Sequence, residues 1–149
     1  MQYSLTVQNR RKSRAGWAFG NHIEALLEAG GIRYIREATT EKRNGPDFLF
    51  PGEAEYHDAD WPADQLTMLG AKTSCKDRWR QVLAEADRIS PKHLLTLEPG
   101  ISVAQTTEMR RSNLRLVLPI SLHDSFLPEQ RGELLDLNSF LELIRSRQA

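Results

Sequence analysis

The stretch LTMLGAKTSCKDRWRQVLAEADRI, Leu66 to Ile89, decides how this chain folds. An apolar run reaches Lys72, polar side chains take over, and Trp79, Val82, Leu83, Ala86 and Ile89 then recur at helical spacing. The pattern predicts a buried strand over Leu66–Thr73 and an amphipathic helix over Lys76–Ile89. Glu85 breaks that stripe. It lies one turn from Val82 and from Ile89, so its carboxylate points partly inward, which is costly unless a cation or a metal meets it.

Working outward, DFLF (Asp47 to Phe50) reads as a short apolar strand bracketed by Pro46 and Pro51. Upstream, RAGWAFGNHIEALLEAGG reads as a helix with Ser13 as its N-cap and Gly30-Gly31 as its stop, carrying Trp17, Phe19, Ile23, Leu26 and Leu27 on its apolar side. GIRYIREAT (Gly31 to Thr39) alternates apolar and polar residues and predicts a strand. KHLLTLEP (Lys92 to Pro99) and LRLVLPI (Leu114 to Ile120) are strands of the fully buried type. A helix is predicted between them from Ser102, and a terminal helix from Ser139. Strands alternating with helices predict a mixed sheet covered on both faces, a three-layer α/β/α sandwich.

The chain has 149 residues, the size of one α/β domain, and its 40% apolar and 27% charged residues are ordinary globular composition. Residues 1–149 therefore read as a single domain, with residues 1–12 as a flexible basic arm. No apolar run reaches the roughly 18 residues of a membrane span, and the start has no signal-peptide core. Cys75 is the only cysteine, so no internal disulfide forms, which fits a reducing cytoplasm; it reads as a buried thiol.

Net charge is zero, yet the charges are clustered. Arg10, Arg11, Lys12 and Arg14 stand without an acidic neighbour, and Lys72, Lys76, Arg78 and Arg80 face Asp77 alone. A neutral chain arranged in this way can present one positive face to a polyanion.

Asp47 sits at the rim of one strand and Lys72 at the end of the next, with Glu85 on the element that follows. Two carboxylates and a lysine suit a Mg²⁺-dependent phosphodiesterase: hard oxygen ligands hold the ion, and the ammonium orients water or offsets transition-state charge. Singly, each residue also has an ordinary reading, as a strand-start aspartate, a strand-end lysine, and a glutamate paired with Arg78, Arg88 or Lys72. Their order along the chain is more specific than any one of them. His57 has no second histidine at ligand spacing, which disfavours zinc.

Pro46-Asp47 with Lys72 resembles the PD-(D/E)xK nuclease signature. More closely, SRAGWAFGNHIEALL, GPDFLFPG, the 66–89 stretch and KHLLTLEPGISVAQTTEM resemble the EcoRII C-terminal catalytic domain family of type II restriction endonucleases. The resemblance implies a restriction-endonuclease-like fold and Mg²⁺-dependent cleavage of double-stranded DNA by a homodimer, with a methyltransferase protecting the host's own sites. It implies Asp47, Lys72 and Glu85 as catalytic residues, with Asp47 and Glu85 on the metal. Where the general signature has a carboxylate two residues before the lysine, this chain has Gly70, and Glu85, thirteen residues after Lys72, stands where this branch displaces it.

Lys76, Asp77 and Arg78 match the segment that reads C·G pairs in related enzymes, pointing to a CC/GG core in a CCWGG- or CCNGG-like site. Arginine can pair with guanine O6 and N7, and an acidic side chain can accept from cytosine N4. Arg14 and Tyr56 are further candidates for DNA contact. The family pattern places a glutamate where this chain has Gly20, with Glu24 one turn along as a substitute metal ligand. A repair nuclease of the same fold, or a DNA-binding protein weakened in cleavage, are the alternative functions.

Overall fold

The computed structural model describes residues 14–40, 45–76 and 78–148. The basic arm, the Ser13 cap and Asp77 lie outside the described residues. Helix α1 spans Arg14–Ala29 and strands β1 and β2 span Ile35–Arg36 and Phe48–Phe50. Short helix α2 (Glu53–His57) leads to β3 (Thr67–Lys72), and β4 is Lys92–Thr96. Then come α3 (Val103–Arg111), β5 (Leu114–Val117), α4 (Pro128–Arg131) and α5 (Leu137–Gln148).

The sheet runs β1-β2-β3-β4-β5, antiparallel from β1 to β3 and parallel from β3 to β5. Side-chain alternation sorts its residues into two cores. Leu49, Met68, Leu94 and Leu116 join Tyr56, Trp79, Val82 and Met109 on one face, while Phe48, Leu69, Leu95 and Val117 join Ile23, Leu27, Phe140 and Ile144 on the other. Helices α1 and α5 thus cover one face, and α2, α3 and the segment after β3 cover the opposite one. This is the mixed three-layer sandwich.

Helix α1 ends as its glycines dictate. Gly31 takes φ +69°, the Ile32 amide reaches the Leu27 carbonyl at 3.0 Å, and the Gly31 amide reaches that of Glu28 at 3.1 Å. That pair of bonds is a Schellman stop. Ile23 and Leu27 are buried as the spacing predicts, but Trp17 and Leu26 are 47% and 42% exposed, so the apolar stripe is narrower than the sequence suggests.

Two elements depart most from their patterns. Only Ile35–Arg36 of the Gly31–Thr39 run pairs as a strand. On one side the Arg33 backbone is taken by the Gln148 side chain at 3.1 and 2.7 Å, and on the other Glu37 turns to φ +60°. The helix expected over Lys76–Ile89 is instead a 3-10 segment, Trp79–Ala84, after which Glu85 is extended and Ala86 has φ +51°. Tertiary partners take the amides a helix needs: Ala86 N–H donates to Thr40 Oγ1 and Arg88 N–H to the Tyr56 hydroxyl, both at 3.1 Å. The stripe is still buried, since Trp79, Val82, Ala86 and Ile89 all lie in the core.

His93 on β4 is fully buried, with its ring 5.2 Å from that of Phe140. Burial first, then Arg115 and Arg147, pull its pKa down to about 3. The unfolded chain binds this proton near pH 6.5 and the folded chain does not, so stability is complete above pH 6.5 and falls as pH drops toward 3, by up to about 1.4 kcal/mol per pH unit. Thermal melting between pH 7.5 and 5 should show this loss. His93→Leu should flatten the slope.

Candidate active site

Asp47 follows buried Pro46 and directly precedes β2. Antiparallel register pairs Phe48 with Leu69, so Asp47 comes opposite Gly70. Alternation then sets Asp47, Gly70 and Lys72 on the same face as Leu49 and Met68. The Asp47 carboxylate is fixed there: its Oδ2 accepts the Ala71 amide at 2.7 Å, a charge-assisted bond to the residue just before Lys72. Lys72, partly exposed, closes β3 opposite Thr96 of β4. An aspartate and a lysine are thereby held at one sheet rim.

The segment that carries Glu85 reaches this face by another route. The Glu85 amide closes the 3-10 segment on the Val82 carbonyl at 3.1 Å, and one carboxylate oxygen, Oε1, is shielded from solvent. Val82 lies directly over Gly70: a Cβ built there would stand 3.1 Å from Val82 Cγ2 and 3.4 Å from Leu94 Cδ1. The segment that carries Glu85 therefore occupies the space a side chain at position 70 would need.

Glu24 is not part of this group. It lies on α1, against the opposite face, and Arg36 Nη1 at 3.1 Å and the Tyr34 hydroxyl at 2.9 Å take its carboxylate. A Glu28 carboxylate oxygen also lies 2.8 Å from the Tyr34 hydroxyl, whose single proton the two carboxylates share, and burial with these carboxylates pushes its pKa well up. The same Arg36 guanidinium stacks 4.2 Å over Trp17 and fills the space beside Gly20. Among the described residues no three of His, Cys, Asp and Glu gather as a metal-holding group. The trio of Asp47, Glu85 and Glu24 is thus not assembled, because Glu24 has other partners. Asp47 and Glu85 are both carboxylates, the oxygen-donor chemistry that suits Mg²⁺, an ion that keeps several of its waters.

Tyr56 is also corrected. It is 1% exposed, its hydroxyl accepts from Arg88, and the Arg88 guanidinium caps it by binding the carbonyls of Tyr56, Asp58 and Trp61. A tyrosine buried in this way fastens the α2 loop to the 86–89 segment and is not presented to a DNA surface. Lys76 and Arg78 are exposed at the turn after β3, where the Cys75 carbonyl accepts the Arg78 and Trp79 amides at 3.0 Å each. Cys75 itself is buried, and burial pushes its thiol up to about 11, so it is no nucleophile. Arg14 is exposed at the first turn of α1, whose Trp17 meets Arg36 beside β2. A cavity of about 260 Å³ lined by Met109, Arg110, Arg115, Gln130 and Leu134 lies between α3, β5 and α4, away from all these residues.

A family described as EcoRII C terminal matches residues 1–141. The chain belongs to this family. It is 50% identical over 137 residues to the type II restriction enzyme EcoRII of Escherichia coli, across 91% of this chain and 34% of that protein. It therefore spans about a third of the length of this curated relative. Two solved structures of metal-depleted Ecl18kI, one with uncleaved DNA and one with uncleaved, modified DNA, share its fold. Their TM-scores are 0.77 and 0.76 at 23% and 22% identity, over 97% of this chain and 49% and 48% of theirs. The restriction-endonuclease-like sandwich expected from the sequence is what the chain forms. Among the described residues no helix is long and apolar enough to cross a membrane.

Position 70 offers a direct check. Gly70→Asp, which restores a carboxylate two residues before Lys72, should cost about 2–4 kcal/mol by crowding Val82 and burying a charge. Urea denaturation of the two proteins measures it.

Proposed function

We propose that the chain is a site-specific type II restriction endonuclease, or the catalytic part of one, that hydrolyses phosphodiester bonds of double-stranded DNA with Mg²⁺. The observation that carries this reading is the bond from the Ala71 amide to Asp47, which fixes a carboxylate beside Lys72 on the face that the Glu85 segment covers. Half-identity to EcoRII supports the reaction class, and the fold shared with Ecl18kI bound to DNA supports the partner.

Asp47 and Glu85 would hold Mg²⁺, which when bound polarises the scissile phosphate and acidifies water. Lys72 directs its ammonium to the attacking water and to the charge growing on the phosphate oxygens. Hydrolysis adds the elements of water across one P–O bond, leaving a phosphate and a hydroxyl end. Arg78 and Lys76 donate to guanine edges and Asp77 accepts from cytosine, which gives a CC/GG core of the CCWGG or CCNGG kind. Arg14 contacts phosphate. The enzyme works in the cytoplasm as a homodimer, each protomer cutting one strand, beside a methyltransferase that protects host sites.

A second reading has one observation in its favour. Arg36 fills the space beside Gly20 and binds Glu24, so α1 offers no carboxylate to the metal, as a DNA-binding protein weakened in cleavage would have it.

Unmethylated plasmid DNA incubated with the protein and Mg²⁺, or with EDTA, separates these readings. Discrete fragments that need Mg²⁺ and share a CC/GG-type end are the expected result. Smearing points to a repair-type nuclease, and specific binding without cutting to the weakened protein. In a cutting protein, Asp47→Ala, Lys72→Ala and Glu85→Gln should each lower the cleavage rate by about 10²-fold or more. Gel-shift binding in Ca²⁺ should persist in all three.

A further inference from the structure

We propose that Glu98 is a positioning residue that sets the base-reading residues Lys76 and Arg78 relative to the catalytic rim; this rests on the reading of those residues given above. Strand β4 ends at Thr96, which is paired with Lys72. Two residues later the Glu98 side chain, 13% exposed, turns back toward the exit of β3. Its Oε1 accepts the Cys75 amide at 2.8 Å and the Lys76 amide at 3.1 Å, and its Oε2 lies 3.9 Å from Lys76 Nζ. The Glu98 amide donates to Thr96 Oγ1 at 3.2 Å, and that hydroxyl donates to the Thr73 carbonyl at 3.4 Å.

These bonds leave the 73–76 segment little freedom. The β3–β4 ladder stops at Lys72 and Thr96, so the amides that follow lose their strand partner and need another acceptor. One carboxylate serves both, through consecutive N–H groups that converge on a single oxygen, which fixes the local curvature of the chain. Cys75 transmits the constraint: its amide is held by Glu98, its side chain is buried, and its carbonyl holds the Arg78 and Trp79 amides. Arg78 thus departs from a turn pinned to the residue pair that also ends the catalytic strand. An arginine reads guanine only when both of its hydrogen bonds form, so a loosened turn loses discrimination before it loses phosphate affinity.

The test compares wild type, Glu98→Ala and Glu98→Gln as full chains, measuring kcat/KM on an oligoduplex with the cognate site and on one with a single core C·G pair replaced. Glu98→Ala should lower the cognate-to-substituted ratio by about ten-fold, and Glu98→Gln, which keeps an acceptor oxygen and loses the charge, by about three-fold. A folded Glu98→Ala that slows both duplexes equally, or that leaves the ratio unchanged, overturns the proposal. If Glu98→Ala does not fold, a folded Glu98→Gln decides by the same comparison. Amide exchange at Cys75 and Lys76, read without DNA, should be at least about ten-fold faster in Glu98→Ala; unchanged exchange also overturns it. If wild type cuts no duplex, the nuclease reading fails, while faster exchange in the variant still reports the Glu98 tether.

Discussion

Val82 rests where a side chain on Gly70 would stand, and this contact ties the central strand to everything that follows it. Because position 70 is bare, the chain after β3 can lie close over the sheet. Because it lies close, the 3-10 segment seats Trp79 and Val82 in the core within two short turns. Glu85 leaves that segment immediately afterward, in extended backbone. One missing side chain thus lets the segment that bears Glu85 lie close over the strand that carries Lys72.

Around this contact, side chains complete what the sheet and helices leave open. Asp47 accepts the Ala71 amide, Glu98 accepts those of Cys75 and Lys76, Thr40 accepts that of Ala86, and Tyr56 that of Arg88. Each donor lies where regular pairing stops, at a strand end or beyond a short helix, and a buried amide without a partner is costly. The same economy builds scaffold and site, since the bond that orients Asp47 also finishes the rim of β3. Arg88 adds a second knot by holding three carbonyls of the 56–61 loop against the segment.

The opposite face follows a different logic. Arg36 is stacked on Trp17, bonded to Asn21 and Glu24, and set beside Gly20, so a guanidinium fills the space an acidic side chain would otherwise enter. Tyr34 braces the same carboxylate. This neutral, packed cluster fastens α1 to the edge of the sheet, and it accounts for a glycine in mid-helix that local helix propensity disfavours. Trp17, on the Arg36 side of that helix, and Leu26, on another side, both remain partly exposed.

Much was written in the sequence itself. The mixed three-layer sandwich, the places of its buried strands along the chain and the Gly31 stop follow from apolar runs and turn residues, because buried strands and helix ends have strong local signatures. Asp47 and Lys72 were legible for the same reason, each sitting where an apolar run meets polar residues. Periodicity could not give the path from Lys76 to Ile89: a spacing of three or four suits an α-helix and a 3-10 turn alike, and the choice fell to Thr40 and Tyr56, distant in sequence, which claimed two of the amides. Nor could it show that Tyr56 is buried, that Arg36 holds Glu24, or that Glu98 reaches back to Cys75. Those pairings join residues 12 to 46 positions apart. Local pattern records which side chains prefer burial, whereas the partner of each polar group is settled only when the strands are in register.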